Sequence, residues 1–169
     1  MMRYIFVFLA LGLSFYVKAQ SVESLQKEID QFVWKPFKNA FETIDGIALN
    51  SIYADEVLRV TPDGIDTNNT FKSKNLERFI QNKKDGVSIT LDFWFDSRHT
   101  NKTTSYEVGF FRIGFTSIEG KTNYSYGQFH IVLKKINGTW KITQDWDTAT
   151  INGETIGAED FEKQRPIRF

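Results

Sequence analysis

Asn137-Gly138 sits between two runs of alternating residues, within the stretch Asn123–Thr148. An Asn-Gly pair flanked in this way is the strongest short-range signal for a β-hairpin. Both central residues of a type I′ turn need positive φ, which Gly adopts freely and Asn tolerates. With a two-residue loop, counting outward pairs Ile136 with Thr139, Leu133 with Ile142, Ile131 with Gln144 and His130 with Asp145. The same count sets Phe129 against Trp146 and Gln128 against Asp147. One face is then mainly apolar: Phe129, Ile131, Leu133, Trp140, Ile142 and Trp146, with Gln144 as its one polar member. The opposite face is polar: Gln128, His130, Lys134, Lys141, Thr143, Asp145 and Asp147. A ribbon of this kind must lay its apolar side on something.

The preceding chain supplies the cover. Ser21–Asp45 places Leu25, Ile29, Phe32, Val33, Phe37, Ala40, Phe41 and Ile44 at spacings of three and four, which predicts an amphipathic helix. Ser21 is its cap, and Pro36 should kink it or open its main segment. A short helix is expected over Ile47–Tyr53, a strand over Val57–Thr61, a loop over Ile65–Phe71 and a third helix over Ser73–Lys83. That third helix should pack through Leu76, Phe79 and Ile80. Val87–Asp96 alternates as a half-buried strand, Ser97–Thr103 reads as a loop, and Ser105–Ser117 is apolar on both parities, as in a central strand. A last helical turn is expected at Glu159–Lys163. Helices early and an antiparallel meander late define an α+β fold, the helices on one face of a curled sheet. A long helix lying in a bent sheet makes a cone with a pocket at its mouth.

Met1–Ala19 has Arg3 near its start, an apolar run from Tyr4 to Leu13, and Val17-Lys18-Ala19 at its end. These are the parts of a secretory signal peptide cleaved before Gln20, and the apolar run is short for a membrane anchor. Residues 20–169 are then one domain, secreted or periplasmic, with no membrane attachment after cleavage. The absence of cysteine rules out a disulfide framework and thiol chemistry, so burial must supply the stability; 16 Phe, 6 Tyr and 4 Trp can do so. Loss of Arg3 and Lys18 leaves 19 basic against 21 acidic side chains, which gives no electrostatic case for nucleic acid. The two histidines, His99 and His130, show no ligand spacing, so neither a metal nor another cofactor is expected.

Three segments resemble the nuclear transport factor 2-like superfamily, in particular its SnoaL-like and ketosteroid-isomerase-like bacterial branch. Tyr53-Ala54-Asp55-Glu56-Val57 with Pro62-Asp63-Gly64 is similar to the passage after the second helix in those proteins. Gly127-Gln128-Phe129, Lys134 and Asn137-Gly138-Thr139-Trp140-Lys141-Ile142 are similar to their hairpin. Asp145-Trp146-Asp147 sits where many relatives carry polar, aromatic, polar. Thr70-Phe71-Lys72 departs from the pattern, since many relatives have a glycine before the third helix. The resemblance implies a cone-shaped fold over nearly all of the chain after its leader, and a homodimer formed through the sheet. It leaves the chemistry open, because the superfamily holds isomerases, cyclases, dehydratases, hydrolases and proteins without known activity.

The candidate residues follow. Tyr53, Phe93, Phe129, Gln144 and Trp146 are expected to line the pocket, Gln144 and Trp146 facing the helices, and to bind a small apolar or aromatic molecule. Asp145, Asp147 and His130 are the catalytic candidates, with Asp145 or Asp147 as base and His130 or Tyr53 as donor. On the register above, the two aspartates and His130 fall on the outer face, and only a bulge near Gln144 would turn the aspartates inward. The leading expectation is a binding domain without catalysis. An acid/base enzyme and a dimeric interaction module with a filled cone are the alternatives.

Overall fold

The computed structural model describes residues 20–169, and the leader expected over residues 1–19 lies outside the described residues. The amphipathic stretch divides as expected around Pro36. Helix α1 spans Val22–Ile29, a π turn spans Asp30–Trp34, and α2 spans Lys35–Glu42. Ser24 N donates to Ser21 Oγ at 3.1 Å, closing the first cap. Pro36 has no N–H to donate, and the backbone widens just before it so that Lys35 N reaches back to Asp30 O. Ile44 takes φ 53° and stops α2, after which Asp45 caps α3 (Gly46–Ile52) by accepting from Ala48 N at 2.9 Å.

Strand β1 (Tyr53–Thr61) begins earlier than its apolar residues suggest, and β2 (Gly64–Asp66) forms where a loop was expected. Helix α4 runs Thr70–Lys84 and starts three residues ahead of Ser73. Its start is set by Asn69, in the left-handed region at φ 59°, and by Asp66. Asp66 Oδ2 accepts from Phe71 N at 2.7 Å and Thr70 Oγ1 at 2.6 Å, and these bonds, Thr70 first, draw its carboxyl down to about 2. The helix buries Phe79 and Phe71 and leaves Ile80 exposed, against expectation.

Strands β3 (Ser88–Thr100), β4 (Thr104–Thr116), β5 (Thr122–Ile136) and β6 (Thr139–Thr148) form the meander. The expected loop at Ser97–Thr103 is mostly strand, because the pairing skips Asp96 and resumes at Ser97 opposite Val108. Sheet order is β2-β1-β6-β5-β4-β3, with β1 parallel to β6 and the other neighbours antiparallel. The Asn137-Gly138 turn has positive φ at both positions, and Ile136 faces Thr139 as counted.

The sheet curls around α1, the π turn and α2, whose Leu25, Ile29, Val33, Trp34 and Ala40 share one core with Leu91, Phe93, Ile131, Leu133 and Ile142. Two inward glycines make tight curvature compatible with aromatic packing. Gly109 faces Phe129 and Gly127 faces Phe111, and a Cβ on either glycine would overlap the opposing ring. On the outer face β7 (Thr150–Ile151), β8 (Glu154–Thr155) and α5 (Ala158–Phe161) cover Trp94 and Phe110, whose rings stack at 4.6 Å. Beyond α5, Ile167 N donates to Phe93 O at 2.9 Å, covering part of the β3 edge.

Candidate functional site

The decisive local feature is an extra residue in β6. Leu133 faces Ile142, but Val132 faces Gln144, so Thr143 and Gln144 together oppose one residue. Every later partner moves by one: Ile131 faces Asp145, His130 faces Trp146 and Phe129 faces Asp147. Since strand side chains alternate, the slip exchanges the two faces of the strand's end. The expected orientation is therefore reversed. Asp145 is buried and Asp147 half-buried on the helix side, whereas Gln144 is exposed and Trp146 is 41% exposed on the outer side. Gln144 and Trp146 do not line the pocket that was expected of them.

A cavity of about 160 Å³ lies between α2, α4 and the concave sheet. Trp34, Phe37, Phe41, Phe93, Phe111 and Phe129 give it aromatic walls, and Leu49, Leu91, Ile113 and Ile131 fill between them. Trp34 packs at 5.3 Å from both Phe93 and Phe129, so these walls are fixed by each other. Tyr53, Arg59, Asp145 and Asp147 contribute a polar side to the cavity. Of the expected ligand contacts, Tyr53, Phe93 and Phe129 are thus in the wall.

That polar side is a continuous chain of hydrogen bonds. Tyr53 OH donates to Asp145 Oδ2 at 2.6 Å, and Arg59 Nη1 donates to Asp145 Oδ1 at 2.9 Å. Arg59 Nη2 also donates to Asp147 Oδ2. Burial pushes the Asp145 carboxyl up from its ordinary value, against the opposing pull of Arg59 and of the Tyr53 hydroxyl. Burial likewise raises the Tyr53 phenol well above its ordinary range, and the Asp145 charge adds to it. Burial works against the Arg59 cation, but the two aspartates more than offset this and hold it protonated. Both Asp145 oxygens are engaged; among the described residues no donor reaches the second oxygen of Asp147.

His130 is not part of this group. It lies on the outer face, 2.6 Å from Tyr106 OH through Nδ1, with its ring tilted against that of Trp146 at 4.4 Å between centres. The sheet separates its ring from the Asp145 carboxylate, so the expected His–Asp relay is not formed. Burial lowers its pKa.

A second buried carboxylate was not singled out from sequence. Glu107 is fully buried and accepts from Trp34 Nε1 at 2.6 Å, Ser105 Oγ at 2.8 Å and Arg98 Nη2 at 3.1 Å. Desolvation raises its pKa above the usual glutamate value despite these partners. Trp34 therefore has one edge on Glu107 and its ring on the cavity. The lone acidic residue amid Tyr106, Val108 and Phe110 was the available signal for this site.

Comparison with solved structures places this architecture. A conserved protein from Planctomyces limnophilus superposes with a TM-score of 0.63 at 18% identity, covering 75% of this chain and 96% of that one. A nuclear transport factor 2-like superfamily protein from Salmonella enterica gives 0.58 at 16% identity, over 82% of this chain and 97% of that one. A ketosteroid isomerase-like protein from Erwinia carotovora gives 0.53 at 15% identity, over 72% of this chain and 93% of that one. The chain has the nuclear transport factor 2-like fold, α+β with helices in a cone of mainly antiparallel sheet. No protein-family model matches the sequence. No curated protein matches it either.

Proposed function

We propose that this protein is exported after removal of residues 1–19 and binds one small, largely apolar molecule in its cone. The observation that carries this reading is the aromatic cavity of about 160 Å³ with a hydrogen-bonded polar chain along one side. An apolar cavity near 150 Å³ accepts a benzene-sized molecule, so the buried part of the ligand is about one aromatic ring. The unengaged oxygen of Asp147 accepts a hydrogen bond, which favours a ring carrying a hydroxyl or similar donor. The motif at Tyr53–Val57 and the hairpin support a place beside the SnoaL-like branch. The half of the outer sheet face that carries Tyr106 and Trp146, 39% and 41% exposed, is a fitting surface for a homodimer.

The test is thermal unfolding with toluene, phenol and benzyl alcohol. A ligand at a hundred times its Kd stabilises by about 2.7 kcal/mol, which for a domain of this size raises Tm by roughly 5–11 °C. The shift should vanish in Ile113→Phe, which fills the cavity from its wall. No shift with any ring compound, or an undiminished shift in the filled variant, overturns the reading.

The acid/base alternative retains one specific support, a carboxylate with an unengaged oxygen in an apolar site. It now rests on Asp147, because Asp145 has both oxygens occupied and His130 lies across the sheet. Asp147→Asn would then abolish turnover while leaving the binding of toluene, which has no hydroxyl, intact.

A further inference from the structure

Beside the aromatic cavity lies a second, polar one of about 410 Å³. The two share Arg59, Asn75 and Arg78. Asp145 and Asp147 line only the aromatic cavity, whereas Lys74, Asp63 and Asp66 line only the polar one. The aromatic cavity thus sets two cations against two aspartates, and the polar one three cations against two.

Of the two arginines that the cavities share, Arg78 is the one without a carboxylate. Arg59, Arg98 and Arg112 each form an ion pair with a carboxylate. Among the described residues Arg78 has no such partner. Its Nη2 donates to Asn75 Oδ1 at 3.2 Å, and its guanidinium lies 5.3 Å from the Phe79 ring centre and 6.0 Å from that of Phe41. Arg78 is exposed on α4 as a whole, its guanidinium lies over these two rings, and desolvation lowers its pKa. Neighbouring charge does not make up for the lost hydration, as it does at Arg59.

The remaining charges do not neutralise it. Asp66 is spent on the cap of α4, where three donors hold it. Asp63 sits exposed on its turn, and Arg59 is taken by the two aspartates. Arg78 and Lys74 are left facing the polar cavity as cations without a carboxylate at ion-pair distance among the described residues.

We infer that the bound molecule is a small amphipathic carboxylate, with its ring in the aromatic cavity and its carboxylate on Arg78, Lys74 standing beside it. A guanidinium presents paired N–H donors that match a carboxylate, and the match strengthens where water is partly excluded. Asp145 and Asp147 are both paired with Arg59, so where the two cavities meet the cation left for an anionic head is Arg78. The inference rests on the cavity reading given above and adds the head group to it.

The experiment titrates the protein calorimetrically with 3-(4-hydroxyphenyl)propionate, its primary amide and phenol. The carboxylate should bind roughly tenfold more tightly than the amide, with an advantage that shrinks as salt is raised. Arg78→Gln should remove most of that advantage and Lys74→Gln, which lies outside the aromatic cavity, a smaller part with phenol binding unchanged. If phenol and the amide bind while the carboxylate gains nothing, or if Arg78→Gln does not reduce the gain, the head-group inference is overturned and the cavity reading stands. If none of the three binds, both are overturned.

Discussion

Arg59 is the position at which the site can be tested most severely. It holds two carboxylates at once, and the Arg59 and Asp145 side chains are only 19% and 6% exposed. At the 2.9 Å of the Arg59–Asp145 contact, an effective dielectric near 20 gives an attraction of about 6 kcal/mol before desolvation is subtracted. Replacement by Leu removes that attraction and leaves Asp145 buried beside Asp147 with only Tyr53 donating to it. Breaking a buried pair from one side costs about 3–5 kcal/mol, so Tm at neutral pH should fall by roughly 6–20 °C. The loss must also depend on pH. Without Arg59, Asp145 titrates in the fold above its unfolded value, so the native state binds the extra proton as pH falls and the penalty shrinks. Urea unfolding at pH 7 and pH 5 measures both effects. A loss below about 1 kcal/mol at pH 7, or an equal loss at the two pH values, would refute the claim that the chain Tyr53–Asp145–Arg59–Asp147 is buried and coupled.

Tyr53→Phe leaves Asp145 Oδ2 without its donor and should cost about 1–3 kcal/mol in the same unfolding assay. Glu107 has a raised pKa in the fold, so its ionisation opposes folding as pH climbs above the ordinary glutamate value; Glu107→Gln should therefore gain stability relative to wild type between pH 4 and pH 8. Gly109→Ala puts a methyl group into the Trp94 carbonyl and the Phe129 ring, and chemical denaturation should show a loss of about 1–3 kcal/mol. Trp146→Gln should shift sedimentation toward the monomer, and a wild-type protein already monomeric at high concentration would remove the pairing proposal.

The cone was legible because its signals are local: periodic apolar residues before Asp45, strand alternation after Val87, and an Asn-Gly turn. The site was legible in content more than in orientation. The apolar parity puts Phe93 and Phe129 in the wall, with Tyr53 at its edge, and all three line the cavity. Gln144 and Trp146 were assigned by the same counting and came out on the opposite side, since nothing in Ile142-Thr143-Gln144 marks an extra residue. What selects the bulged register is distant in sequence: Tyr53 and Arg59 reach across from β1 to claim Asp145. Glu107 is illegible in sequence for a related reason, because its partners Trp34 and Arg98 belong to other elements. The start of α4 escaped reading at Ser73 because the capping carboxylate, Asp66, lies four residues before Thr70 and acts through a left-handed Asn69.

The irregularity at Thr143 also has a bearing on how such a chamber diverges. A half-strand displaced by a single position would present an indole and a carboxamide to the cavity in place of two acids, with every letter after it unchanged. Insertions and deletions upstream of Asp145, more than point substitutions at the lining, are then the abrupt route from one chamber chemistry to another.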